Sequence, residues 1–512
     1  MFKSIFFFIN KLNIYIFNDK VFVYSIIKML WQDKVIKYLN KLNISSLKEE
    51  QENVINEILM GNDVIGLLPT GYGKSLCYIL PPLLKRKVIF IISPLISLMD
   101  EQCNKLIEKG INACALNTNN NNKNSDIKNI INGKIKIVFM SPEYLISSGL
   151  DLAHSLIEND LFGFLAVDEC HCVSVWGQDF RNDYTLIKTF RDNFPDIPIM
   201  ALTATATSNI CSDVIKYLSL KNPTIIRTSF DRPNLKINMI QYSAKEKKKF
   251  IIKSLSDKYK DSKIIVYTHT RDETDMLANE LNRINISCKA YHAGLSKEQR
   301  QLVQEEFSSD NSKYNIIIST IAFGMGIDQI VRCVVIFGFP SSIEEYFQQI
   351  GRAGRDGINS DTILYYDYSC YRKREYGLKH LDDKNLSIAK MKCLSSMKYL
   401  VYLKTCRRRF ILDYFDEPIT FMTCNNCDNC CKELVDISSD ILKAKNINEI
   451  TKLFTCDMGM NNLIIKWKQF VKGNKKLNDN EKFKVSKEYL VSNLSNQDDF
   501  EKQISRFEKL MY

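Results

Sequence analysis

Lys74 and Ser75 close the run Leu68-Pro69-Thr70-Gly71-Tyr72-Gly73-Lys74-Ser75, and a second run, Asp168-Glu169-Cys170-His171, sets two carboxylates side by side. Each follows an apolar stretch that reads as a buried strand, Val64-Ile65-Gly66-Leu67-Leu68 before the first and Phe164-Leu165-Ala166-Val167 before the second. A glycine-bearing turn between a strand and a helix leaves backbone N–H groups to surround a polyphosphate, and the helix N-terminus adds positive potential. Thr70, Gly71 and Gly73 then shape the loop, Lys74 reaches the β and γ phosphates, and Ser75 takes magnesium. The strict P-loop pattern has glycine where Leu68 stands, so this is a variant of it. At the end of the second strand Asp168 can hold the metal through water while Glu169 activates the attacking water. A glycine turn and a solvated acidic pair are the bland alternatives, and they do not account for both motifs in this order. The chemistry is hydrolysis of ATP.

Gln348-Gln349-Ile350-Gly351-Arg352-Ala353-Gly354-Arg355 adds a third cluster. Arg352 and Arg355, three residues apart, can face an opposed nucleotide, where a guanidinium stabilises charge on the transferring phosphoryl group. Arg355 is the expected arginine finger, with Gln348 completing the site beside it. Farther on, Cys406, Cys424, Cys427 and Cys430 offer four thiolates from a helix and a tight loop, enough to enclose tetrahedral zinc in a region too small for much core. Cys431 competes with Cys430 for the fourth place. The adjacent Arg407-Arg408-Arg409 reads equally as a solvated helix face or as a phosphate contact.

The elements that must position these groups follow from the pattern of the chain. Apolar runs of strand length recur at Val88–Ile92, Ile137–Met140, Phe164–Val167 and Ile199–Leu202, separated by polar or periodic stretches, as in βαβ units with a parallel sheet. The pattern restarts after Lys245-Glu246-Lys247-Lys248-Lys249, with strands near Ile264–Tyr267, Ile316–Ile318 and Val334–Phe337 and a helix near Glu273–Arg283. Residues 371–409 turn basic and helical in their spacing. Asn117–Asn124 is an asparagine-rich surface loop.

With 512 residues, three or four domains are expected, and 45% hydrophobic content excludes a disordered chain. A net charge of +11 suits a polyanionic partner without proving one. The sixteen cysteines stand mostly alone in apolar surroundings, as reduced intracellular thiols do. Residues 1–28 are rich in Phe and Ile but interrupted by charge, short of a membrane span and without a signal-peptide cleavage site. A presequence and a non-native extension upstream of a start at Met29 are the two readings, and the second is favoured because Leu30-Trp31 opens the first amphipathic pattern.

Together these motifs resemble the RecQ family of superfamily 2 helicases over about Leu47 to Cys431. The resemblance is carried by Thr70–Tyr78, Ser93-Pro94-Leu95-Ile96-Ser97-Leu98-Met99, Asp168–Cys172, Ala201–Ala206, Ala322–Asp328 and the arginine cluster. It implies two tandem RecA-like α/β domains, residues 30–240 and 241–370, then a helical zinc-binding domain, 371–432. Residues 433–512 would be a divergent, partly winged-helix segment after the N-terminal extension 1–29. It implies an ATP-dependent 3′-to-5′ DNA helicase with ATP, Mg²⁺ and Zn²⁺ as cofactors. Single-stranded and partly duplex DNA would be the partner, with replication or repair proteins beside it, at a nuclear or cytoplasmic site of DNA metabolism. Gln51 would read adenine. Trp176 and Phe180 would stack on bases, with Arg181 supplying a cation, as single-strand binding requires. Departures are Leu47-Lys48 for Phe-Arg, Gln178 for histidine, a shorter Asp328–Arg332 segment, and the loss of a histidine near Phe337. A DEAD-box RNA-dependent ATPase and a strand-annealing scaffold with a degenerate motor are the competing readings.

Overall fold

The computed structural model describes residues 33–174, 181–205, 207–242, 248–260, 262–309, 312–320, 323 and 329–431. The expected extension at 1–29 and the segment 433–512 lie outside the described residues, as do Trp176, Gln178 and Phe180.

Seven apolar runs form the first sheet: β1 Val64–Leu67, β2 Val88–Ile92, β3 Ala113–Leu116, β4 Ile137–Met140, β5 Phe162–Val167, β6 Ile199–Thr203 and β7 Thr224–Arg227. Their order is β3-β4-β2-β5-β6-β1-β7, with every pair parallel. The runs lack polar alternation because both sheet faces are covered. Val88, Phe90 and Ile92 enter one core cluster, and Ile89 and Ile91 enter the other. Gly66 in β1 leaves room for its neighbours: a Cβ there would lie 2.6 Å from Leu202 Cδ2 on β6 and 3.3 Å from Val54 Cγ2 on the helix Glu49–Met60.

The second sheet holds β8 Leu235–Gln241, β9 Lys263–Tyr267, β10 Cys288–Tyr291, β11 Ile316–Ser319, β12 Val331–Phe337 and β13 Ser360–Tyr366. Its order is β10-β11-β9-β12-β13-β8, again all parallel. Two parallel sheets followed by helices confirm the expected architecture. One boundary moves. β8 pairs with β13 and begins at Leu235, so the passage between sheets lies at residues 228–234 and not at 240. The asparagine-rich stretch is also more ordered than a surface loop. Asn117 Nδ2 donates to Asp100 Oδ1 at 2.8 Å, Asn120 Nδ2 donates to Ala115 O at 2.9 Å, and a helix starts at Lys123.

Helices Tyr368–Lys379, Lys384–Tyr402, Arg407–Tyr414 and Asp428–Cys431 form the third part. Both readings of the arginine run are corrected for its first two members, which are 3% and 4% exposed. Arg407 forks onto Asp428 (Nη2 to Oδ2, 2.9 Å) and donates to Leu400 O, while Arg408 donates to Asp231 Oδ1 at 2.9 Å and to Arg232 O at 2.5 Å. They join the helical part to the passage between sheets. On the other side, Asp416 accepts from Ser208 N at 2.8 Å, Glu417 accepts from Phe230 N at 2.7 Å, and the Phe415 ring stacks on Phe230 with centroids 4.8 Å apart.

Candidate active site and metal centre

The turn after β1 opens as the sequence requires. Gly71 and Gly73 take φ of +83° and +88°, a left-handed region costly to other residues, and the helix starts at Ser75. A Cβ at Gly73 would meet Gln51 Nε2 at 2.7 Å, and one at Gly71 would meet Cγ and Cδ of Arg355 at 3.2 Å. The loop is thus a cradle with no room for side chains, between a first-domain glutamine and a second-domain arginine. Gln51 braces it: Nε2 donates to Tyr72 O at 2.8 Å and Gly73 O at 3.1 Å, and Oε1 accepts from Lys48 N at 2.9 Å. To donate to a base, Gln51 must release one of the two carbonyls that Nε2 holds, while Oε1 keeps a second lone pair.

Asp168 and Glu169 leave β5 at its C-terminal end. Glu169 has φ +49° and ψ +45°, a strained conformation for a residue with a Cβ, of the sort stored at functional sites. Its Oε2 is buried, 3.3 Å from His171 Nδ1. Burial opposes its charge, but Lys74, His171 and Arg352 outweigh burial and hold the carboxyl low. Asp168 moves the other way, pushed up by burial first and Glu169 second. The two neighbouring carboxyls are thus driven apart, Glu169 toward the ionised form and Asp168 toward the protonated one. Asp168 and the Ser75 hydroxyl supply the hard oxygen donors that suit Mg²⁺, beside Lys74 for phosphate.

The second domain reaches this site. Arg355 lies over Gly71, while Arg352 is 8% exposed and set against Tyr267 and Glu169. Gln348 is buried on the helix Ile343–Ile350 that leads into the arginines. Arg181 donates from Nη1 to Pro94 O at 2.6 Å, so its guanidinium ties the end of the aromatic loop to the Ser93-Pro94 turn. Sequence reading gave no role to Thr203, whose Oγ1 lies 2.9 Å from His171 Nδ1, or to Tyr78, whose hydroxyl is 2.8 Å from Gln102 Oε1 and 3.5 Å from Asp168 Oδ2. Both stood inside motifs, Thr203 in Ala201–Ala206 and Tyr78 at the end of Thr70–Tyr78, one helical turn past Lys74.

Sγ atoms of Cys406, Cys424, Cys427 and Cys430 all lie within 4.8 Å of one another, with 4.0 Å between Cys424 and Cys430. A tetrahedron with Zn–S bonds of about 2.3 Å has edges of roughly 3.8 Å, so the four fit zinc with little adjustment. Arg409 N and Asn426 N donate to Cys406 Sγ and Cys424 Sγ, each at 3.4 Å, as N–H groups do to metal thiolates. Cys431 turns away, its Sγ on Asn425 O at 3.5 Å, which leaves the fourth place to Cys430.

Two facing parallel-sheet domains, a P-loop answered by arginines across the cleft and a four-cysteine appendage define an ATP-driven helicase of the tandem-domain class. Family models match in the same order: DEAD/DEAH box helicase over residues 48–212, helicase conserved C-terminal domain over 246–357, and RecQ zinc-binding over 372–431. The chain is 38% identical to a putative ATP-dependent RNA helicase, R290, of Acanthamoeba polyphaga mimivirus, covering 82% of this chain and 76% of that one. It is 37% identical to the ATP-dependent DNA helicase RecQ of Pasteurella multocida, covering 75% and 60%, and 36% identical to the ATP-dependent helicase SGS1 of Saccharomyces cerevisiae, covering 78% and 28%. Among solved structures, the DUF1998 helicase MrfA bound to DNA and AMPPNP shares the fold, with a TM-score of 0.54 at 18% identity over 70% of this chain and 55% of that one. This chain belongs to the RecQ family of ATP-dependent helicases, whose cofactors are ATP with Mg²⁺ and, in the appended domain, Zn²⁺. It spans about six tenths of the length of the bacterial RecQ relative and under a third of the yeast one.

Proposed function

We propose that this chain is a 3′-to-5′ DNA helicase that couples ATP hydrolysis to movement along single strands and to duplex opening in replication, recombination or repair. The observation that carries the reading is the approach of Arg352 and Arg355 to Glu169 and Gly71, because a site built from two domains can make hydrolysis depend on their closure. Lys74 and the loop amides bind phosphate, Ser75 and Asp168 hold the metal, Glu169 takes the proton of the attacking water, and Gln348 and Arg355 complete the site. Magnesium, when bound, neutralises charge on the β and γ phosphates. Gln51, once released from the P-loop carbonyls, reads adenine. Trp176, Phe180 and Arg181 meet the single strand.

The units of action are the first α/β domain to about residue 230, the second to 370 and the zinc domain to 432. Polarity and DNA preference rest on family membership, as do replication or repair proteins as partners and an intracellular site of work. Among the described residues no helix is long and apolar enough to cross a membrane. The test is ATP hydrolysis with single-stranded DNA, duplex DNA and RNA as activators, alongside unwinding of duplexes with a 3′ or a 5′ tail. Stimulation by single-stranded DNA and unwinding from the 3′ tail are expected. Stimulation by RNA alone would replace this reading with an RNA-dependent ATPase, and absent turnover would leave a DNA-binding scaffold.

A further inference from the structure

The helix Ile96–Glu108 touches both the second domain and the surroundings of Asp168 through consecutive residues. Asp100 Oδ2 lies 3.3 Å from Lys297 Nζ, and Glu101 Oε2 accepts from Gln304 Nε2 at 3.2 Å, both partners on the second-domain helix Lys297–Ser308. The next residue, Gln102, points back into its own domain, where the Tyr78 hydroxyl meets its Oε1 at 2.8 Å and faces Asp168 Oδ2 at 3.5 Å. Tyr78 is 1% exposed, on the helix that begins with Ser75, and its ring packs edge-on against Phe139. Its one proton can go to Gln102 or to Asp168, which compete for it, while the Ser75 hydroxyl on the same helix is a third hydrogen-bond neighbour.

We propose that Tyr78 is a positioning residue that transmits the seating of the second domain on the helix Ile96–Glu108 to the carboxylate Asp168. A shift or rotation of Gln102 when Lys297 and Gln304 dock changes how far the phenol can lean toward Asp168. A full hydrogen bond from the phenol fixes which carboxylate oxygen faces the metal. With Lys297 and Gln304 seated as here, the phenol stays with Gln102 and lies 3.5 Å from Asp168, too long for a strong bond, so the contact to Asp168 tightens only when Gln102 gives the phenol up. The inference rests on the ATPase reading above.

The experiment compares the wild-type chain with Tyr78→Phe, Gln102→Ala and the double variant, with Lys74→Ala as the dead-site control. Mn²⁺ binding to the protein with ADP, followed by electron paramagnetic resonance, reads the metal site without turnover. ATP hydrolysis with and without single-stranded DNA reads the coupling, and thermal melting reads stability. Tyr78→Phe keeps the ring and should weaken Mn²⁺ binding by about tenfold, the weight of one hydrogen bond to a charged group. It should also lower DNA-stimulated kcat by a similar factor while KM for ATP moves less than twofold. Gln102→Ala should reproduce the loss of stimulation, and the double variant should be no worse than Tyr78→Phe, because both cut one link. If Tyr78→Phe melts early, Gln102→Ala at the half-buried end of the link carries the same test. Mn²⁺ affinity and stimulation within twofold of wild type in the single variants would overturn the proposal, as would fully additive losses in the double. If the wild type shows no turnover that Lys74→Ala removes, the ATPase reading fails by itself, and the Mn²⁺ comparison still decides whether Tyr78 positions Asp168.

Discussion

Replacing Glu169 by Gln removes one proton acceptor and almost nothing else. The side chain keeps its volume, its strained left-handed backbone and its place beside His171. Its buried oxygen has no hydrogen-bond donor to lose among the described residues, apart from the imidazole 3.3 Å away. Stability should hardly move. Burial and Glu169 push Asp168 up while Lys74, His171 and Arg352 pull Glu169 down, so the two electrostatic contributions oppose each other and removing one charge relieves the first as it forfeits the second. The chemical step loses a positioned general base, worth roughly 10²–10⁴-fold, or about 3–5 kcal/mol of barrier. DNA-stimulated phosphate release should therefore fall by that factor, while a fluorescent ATP analogue and a labelled single strand bind within about threefold of wild type and the melting temperature stays within about 2 °C. Turnover within tenfold of wild type would show that another group takes the proton. An equal loss of nucleotide binding would show that Glu169 holds the ligand instead.

Cys427→Ser should leave purified protein with less than one zinc per chain by metal analysis and with faster proteolysis of residues 371–431, since metal binding is folding energy there; full stability without zinc would contradict the four-cysteine site. His269 gives a pH test. Burial, then Arg374, holds its pKa down to about 3: Nε2 accepts from Phe339 N at 2.8 Å, and the Arg374 guanidinium lies 2.8 Å from Nδ1. Below about pH 6.5 the unfolded chain therefore binds a proton the folded one refuses, and stability falls with pH, by at most about 2 kcal/mol at pH 5. Denaturant titrations at pH 7.5 and 5 should show this loss in the wild type and its reduction in His269→Asn. Trp176→Ala should keep basal ATP hydrolysis but lose DNA stimulation and unwinding, with DNA binding weaker by about 1–3 kcal/mol in a fluorescence titration; intact stimulation would make that loop packing. Gln178→His should raise the ratio of stimulated to basal rate, and an unchanged ratio would make that departure neutral.

What the sequence disclosed was local. The P-loop, the carboxylate pair and the arginine cluster each lie within ten residues, and the strands beneath them are uninterrupted apolar runs because both sheet faces are buried. The cysteine spacing was similarly self-contained. What escaped depends on partners far along the chain. Gln51 is spent on carbonyls more than twenty residues away, Arg408 on a carboxylate 177 residues away, and Arg181 on Pro94. A row of charges cannot announce that it will be buried when its counter-ion lies in another domain. The boundary at 240 cut across β8 for a different reason. Its buried Leu235, Ile237 and Met239 alternate with more exposed residues, the pattern of an edge strand, and that pattern does not say which sheet owns the edge.

The clasp of Asp416 and Glu417 on Ser208 and Phe230 also sets a clock on synthesis. These bonds join residues 208 and 187 positions apart, so at ordinary elongation rates roughly 10 to 40 s separate the emergence of the two sides. During that interval the first domain can complete its sheet, yet the aromatic ring of Phe230, fully covered in the finished molecule, has no Phe415 to stack on. The nascent motor would carry an open apolar seam at the passage between its sheets until residues 415–417 are made, which makes that seam a place for a chaperone to hold and for premature release to cause aggregation.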